Sequence, residues 1–226
     1  MVLGGREVGE KIVADSRTNL VSFTGGVPAG QQISKLAGMK KVLLELGGNA
    51  GTIVHEDADI ERAATLATKT AFSNSGQSCI SVQRVYVHES VFQEFSAKVK
   101  EKTEALHIGD PRDEATDIGC VVSKEAAERI TSWIEEAAAD GANILCGGSA
   151  NGAQVQPTIL VNPKKENKVV CQEVFGPVVS LIPYRNVDWA IHEVNESAFG
   201  LQAGVFTQSL TVVRKVVQTL DMEGSL

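Results

Sequence analysis

The chain has 226 residues, 43% of them hydrophobic and 22% charged, the profile of a globular protein long enough to bury a core without staples. A formal charge of -7 with no Lys/Arg cluster argues against a nucleic-acid surface, and no apolar run approaches the ~18–20 residues that span a bilayer. Four cysteines without a CxxC or close pair, and four histidines without ligand spacing, lead us to expect reduced thiols, no metal site and a cytoplasmic setting.

Helix-like and strand-like segments alternate along the chain, which predicts an α/β fold with a largely parallel sheet flanked by helices. A helix-like segment follows Met1 almost directly. Asn19–Thr24 reads as a strand, and Gly25-Gly26-Val27-Pro28-Ala29-Gly30 leads into a helix ending near Gly38. Lys41–Leu46 is a second strand. Asp57–Phe72 is helical, with Ile60, Ala63, Ala64, Ala67 and Ala71 on one face. The run Val82–Val87 is strand-like, and Ser90 is expected to cap a helix carrying Val91, Phe92, Phe95 and Val99. Ser123 caps another, with Glu125 in its first turn, a stripe of Ala127, Ile130 and Ile134, and Gly141 as its stop. Strands are expected at Asn143–Cys146, Val155–Val161, Val178–Tyr184 and Ala203–Thr207, with helices around Val187–Asn195 and Ser209–Leu220. Another strand is expected to begin near Gly224, and both ends read as cut from a longer protein.

Reactive chemistry is suggested first by Cys79, in the small-residue stretch Ser75-Gly76-Gln77-Ser78-Cys79-Ile80-Ser81 between a helix and a strand. Such a loop leaves room for a substrate beside the sulfur, and a thiolate there is a nucleophile. Glu45, with apolar neighbours just before the pair Gly47-Gly48, is a candidate general base. Gly25 and Gly30 flank a strand-to-helix turn, where unpaired amides and the helix dipole suit a pyrophosphate. Arg84 either supports the nucleophile loop or pairs with a surface acid, and reads as structural.

Four motifs then resemble the NAD(P)-dependent aldehyde dehydrogenase superfamily: Phe23-Thr24-Gly25-Gly26, Leu44-Glu45-Leu46-Gly47-Gly48, Gly76-Gln77-Ser78-Cys79 and Glu173-Val174-Phe175-Gly176-Pro177. They occur in the family's order, with Glu45 and Cys79 34 positions apart. The resemblance covers the middle and later part of such an enzyme. It implies residues 1–48 as the end of a Rossmann-like cofactor-binding domain and 49–226 as a catalytic domain, truncated at its C-terminal end. It implies attack of Cys79 on an aldehyde to give a thiohemiacetal, a thioacyl-enzyme after hydride transfer to NAD or NADP, and hydrolysis through Glu45. The Cys79 amide would donate to the oxyanion. Gly25, Gly26, Gly30 and the backbone of Leu46 would lie on the cofactor, Glu173 on its nicotinamide ribose, and Phe175 beside the nicotinamide. Gly26 stands where relatives often carry serine, so a hydroxyl contact to phosphate is lost. Further implications are a small aldehyde as substrate, homo-oligomers of the full-length parent, and little activity in this segment alone. A scaffold module retaining the fold is the alternative, and a cysteine acyltransferase ranks last because no histidine is linked to Cys79.

Overall fold

The strands that build this fold are short and, at the centre of the sheet in the larger of its two parts, buried on both faces. The structure is a computed structural model and describes residues 1–222, 224 and 225. Two compact units divide at Gly47/Gly48.

In the first unit, α1 (Arg6–Ala14) precedes β1 (Leu20–Thr24), α2 (Val27–Ala37) and β2 (Lys41–Glu45). The two strands pair in parallel from Leu20↔Lys41 to Thr24↔Glu45, so α2 is the crossover of a βαβ unit. Pro28 sits in the first turn of α2, where its missing N–H costs nothing, and Gly38 at φ +60° ends the helix.

In the second unit, the chain order is β3 (Ala50–Val54), α3 (Ile60–Phe72), β4 (Val82–His88), α4 (Glu89–Glu104), α5 (Lys124–Ala139), β5 (Asn143–Cys146), β6 (Ala150–Asn151), β7 (Gln154–Val155), β8 (Thr158–Val161), α6 (Lys168–Cys171), β9 (Val178–Tyr184), α7 (Val187–Asn195), β10 (Gln202–Phe206), α8 (Leu210–Thr219) and β11 (Gly224–Ser225). Seven strands form one sheet in the order β11-β10-β3-β4-β9-β8-β5, parallel throughout except where β5 meets β8. Side chains alternate between its faces. Val54, Val85, Val87, Val179 and Leu181 pack with Ala63, Ala67, Phe72, Phe95 and Val99 of α3 and α4. Ile53, Tyr86, Val178 and Ile182 pack with Ile130 and Ile134 of α5, Ile191 and Val194 of α7, and Val216 of α8. Burial on both faces makes these strands near-continuous apolar runs. No helix among the described residues is long and apolar enough to cross a membrane.

Local chemistry sets the element ends. Asp59 caps α3 by accepting from the Arg62 amide, and Ser123 caps α5 by accepting from Ala126. Gly141, at φ +104°, closes α5 as expected. Two expectations are corrected, and one strand is added to those read from the sequence. His88 caps α4, its Nδ1 accepting from the Ser90 amide and meeting the Ser90 hydroxyl at 2.8 Å, so Ser90 lies inside the helix. The run Val155–Val161 is not one strand: β7 ends at Val155, and Pro157, which has no N–H to give a ladder, stands before β8. The strand Ala50–Val54 was not anticipated at all, although it lies inside the sheet between β10 and β4.

Candidate active site

In a parallel sheet the segments entering the strands gather along one edge, and here those entering β3, β4 and β9 carry the motif residues of the second unit. The segment before β4 is the most constrained. After α3, Asn74 and Ser75 adopt φ of 52° and 56° and Gly76 a φ of +70°, left-handed values that non-glycine residues hold only when their surroundings enforce them. Ser75 is buried, and its hydroxyl accepts from the Gly119 amide at 3.1 Å. Gln77 donates through Nε2 to the carbonyl of Cys120 at 3.2 Å. Beyond Cys79, the Ser81 amide closes a turn onto Ser78, and the Ser81 hydroxyl reaches the carbonyls of Thr70 and Ala71, both at 3.1 Å. The Ile80 carbonyl accepts from Gln202 Nε2 at 2.7 Å. Cys79 itself is a half-buried free thiol on a loop fastened on both sides.

Two glycines press this loop against its neighbours. A Cβ on Gly48 would overlap the Cys79 carbonyl, and one on Gly76 would overlap the carbonyl of Gly176. The three segments therefore touch backbone to backbone. Glu173 adds a polar tie, its carboxylate accepting from the Gly48 amide at 2.8 Å. Half-burial holds the Glu173 carboxyl above the usual range, while the Gly48 amide and the positive charge of Arg129 pull it part of the way back. Phe175 has φ +49° and is 40% exposed. A large aromatic held out to solvent in a left-handed conformation serves no core.

Some supporting side chains escaped the sequence reading. Arg129 of α5 donates to the Val174 carbonyl at 2.8 Å and lies 4.6 Å from the centre of the Trp133 ring. Gln83 and Asn49 are buried amides, with Asn49 Nδ2 on the Val170 carbonyl at 2.6 Å. Among the described residues Arg84 meets no acidic side chain. It is 2% exposed, and each of its five N–H groups has an acceptor: Asn49 Oδ1, the carbonyls of Asn49, Glu193 and Val194, and the Tyr86 hydroxyl. The signal for them was two polar residues, Gln83 and Arg84, inside an otherwise apolar strand.

Glu45, Leu46, Gly25, Gly26 and Gly30 belong to the first unit. Glu45 is the exposed last residue of β2, and its carbonyl accepts from the Gly25 amide at 3.0 Å. Gly26 is the N-cap of α2 without a side-chain cap, and the Gly26 and Val27 amides donate to no described residue. A Cβ on Gly30 would stand 2.6 Å from Leu46, so glycine lets that side chain lie over the first turn. These features fit a phosphate-bearing cofactor. Beside them, a groove of about 690 Å³ runs between α1 and α2, lined by Ile12, Val13, Phe23, Pro28, Ala29 and Ile33 among others. An apolar slot of that size suits a flat ring system.

Comparison with known proteins agrees in sequence and in fold. The sequence model described as the aldehyde dehydrogenase family matches residues 1–224. A 3-sulfolactaldehyde dehydrogenase of Priestia aryabhattai is 46% identical over 220 residues, 97% of this chain and 46% of its own length. A lactaldehyde dehydrogenase of Methanococcus vannielii is 41% identical over 220 residues, again 97% of this chain and 47% of the relative. The crystal structure of a glyceraldehyde-3-phosphate dehydrogenase from Methanocaldococcus jannaschii, complexed with NADP, superposes with a TM-score of 0.94 at 36% identity, over 97% of this chain and 48% of that one. The chain thus spans about half the length of the curated relatives it matches.

Proposed function

The chain belongs to the aldehyde dehydrogenase family, and from that premise we propose that the enzyme containing it oxidises a small polar aldehyde to a carboxylic acid with NAD or NADP. Cys79 is the nucleophile. Its sulfur adds as the thiolate to the aldehyde carbon to give a thiohemiacetal, the Cys79 amide donates to the oxygen that gains charge, and loss of the hydride from that carbon leaves it bound to sulfur as a thioester. The nicotinamide, when bound, supplies the hydride acceptor. Glu45 then takes a proton from water, which attacks the thioester and frees the acid. Glu173 holds a ribose hydroxyl and the exposed ring of Phe175 lies beside the nicotinamide. The amides of Gly26 and Val27 would receive the pyrophosphate, with Gly25, Gly30 and Leu46 shaping that turn, and the groove between α1 and α2 would take the adenine. On this reading residues 1–48 are the end of a cofactor domain and 49–226 a catalytic domain.

The substrate class follows the relatives, named for lactaldehyde and sulfolactaldehyde, short aldehydes bearing a hydroxyl or an anion. A cytoplasmic homo-oligomer that binds neither membrane nor nucleic acid is part of the same reading; the four free thiols support the compartment and the net charge of -7 the absence of nucleic acid. The observation that carries the proposal is the strained, doubly fastened loop around Cys79, packed against the Glu173 segment. Retention of Cys79, Glu45 and Glu173 together favours an enzyme over a scaffold module. Iodoacetamide at neutral pH tests it. Cys79 should be alkylated at least tenfold faster than the exposed Cys120 and Cys171, and equal rates would remove the nucleophile.

A further inference from the structure

Two buried polar side chains open β4, and neither takes part in the proposed chemistry. One of them, Gln83, grips the segment that bears Glu173. It is 6% exposed among valines, so packing alone gives no reason for an amide there. Its Nε2 donates to the carbonyls of Gln172 at 2.6 Å and Val169 at 3.2 Å, and its Oε1 accepts from the Val174 amide at 2.8 Å. That pattern fixes the amide's orientation. Turned over, it would set oxygen against two carbonyls and nitrogen against an N–H.

Glu173 lies between the two residues held in this way. Its backbone cannot slide or rotate without breaking both bonds, and its carboxylate is then delivered to the Gly48 amide at 2.8 Å. Gln83 stands four positions after Cys79, beyond the turn that Ser81 fastens to the end of α3. One continuous stretch therefore carries the thiol and grips the carboxylate.

We infer that Gln83 is a positioning residue that sets the Glu173 carboxylate in register with the Cys79 loop. Only its catalytic consequence rests on the reading of Glu173 as a ribose ligand. A neutral amide is required, because the site presents two acceptors and one donor. A glutamate would confront both carbonyls with a charge, and a methionine would strand all three groups.

The test is NMR on the 226-residue chain with ¹³C-labelled glutamate, the Glu173 signal being assigned by its loss in Glu173→Gln. Gln83→Met should bring the Glu173 titration down towards the ordinary carboxylate value and speed exchange of the Gly48 amide at least tenfold. Thr158→Val removes another buried hydroxyl network, from Thr158 to Gln156 and Gly148. It should lower the melting temperature and leave both readouts unmoved, which separates positioning from general destabilisation. If Gln83→Met does not fold, Gln83→Asn, whose amide is one methylene too short to reach both neighbours, is read in the same way. Wild-type titration and protection in the folded variant would overturn the inference. NADH affinity of Glu173→Gln is read separately. An unchanged value would remove the ribose role, and the inference about Gln83 would still be decided by the titration.

Discussion

A methyl group on Gly48 has nowhere to go, because the Cys79 carbonyl occupies its place. Backbone cannot yield as a flexible side chain would, so Gly48→Ala must push the nucleophile loop or the entry to β3 aside. The expected cost is about 1–3 kcal/mol in urea unfolding, together with a tenfold or larger change in the Cys79 alkylation rate. Wild-type reactivity would mean that the loop tolerates the shift. Glu173 makes a prediction of the opposite kind. Half-burial raises its carboxyl in the folded state, so the fold binds that proton more tightly than the unfolded chain does. The stabilisation is present below the unfolded value of about 4.3 and is lost as pH rises through the higher folded value. A glutamine still accepts from the Gly48 amide and never ionises. Glu173→Gln should therefore gain melting temperature relative to wild type as pH climbs from 4 to 7, and a constant difference would contradict the shift. At this scale Cys79 could be read from its loop, whereas Gln83 and Asn49 could not. Their meaning lies in partners 35 to 121 positions away in other segments, such as the Asn49–Val170 and Gln83–Val174 bonds.

Elements were legible where local chemistry decides them and obscure where tertiary packing does. The helix α5 announces itself through Ser123, Glu125, the stripe of Ala127, Ile130 and Ile134, and Gly141, all of which act within one or two turns. Its cap is correspondingly easy to test. Ser123→Ala removes the acceptor for the Ala126 amide and should cost about 1 kcal/mol, read as a lower urea midpoint at unchanged m-value. The same change frees Glu125, whose carboxyl the Ser123 hydroxyl holds below its usual range. A carboxyl lowered in this way supports the fold above its unfolded pKa and loses that support as pH falls, so the penalty of Ser123→Ala should shrink in acid. β3 failed to announce itself because its first residues, Ala50 and Gly51, are poor strand formers. Gly51 is there for α7: a Cβ would stand 2.9 Å from the Val194 side chain. Only the packed molecule shows why the second residue of a buried strand is a glycine. His88 displaced Ser90 as a cap for a similar reason, since the strand ends one residue before the helix starts and leaves no room for a later cap.

Across the second unit, the parallel sheet sends the entries to β3, β4 and β9 to one edge, and Arg84 ties the sheet to what lies over it. A fully buried guanidinium that meets no carboxylate among the described residues needs another source of negative potential. It finds one in the last turn of α7, where the carbonyls of Glu193 and Val194 lie at the negative end of the helix. Two of its remaining three donors hold both oxygens of Asn49, the residue after Gly48, and the third meets the Tyr86 hydroxyl. The fork thus joins α7, β4 and the entry to β3, and its planar geometry matters as much as its charge. Arg84→Lys keeps the charge but offers three donors from a single point, leaving a buried cation short of acceptors within reach. A loss on the order of 3 kcal/mol is expected. Arg84→Met abandons the carbonyls and also removes the charge that would otherwise be stranded, so it should be the milder change. Urea unfolding of both variants decides the matter. If lysine proves milder than methionine, charge against the helix end is what holds α7 to the sheet; if methionine does, a buried cation without the full set of donors that the fork supplies costs more than losing the charge altogether.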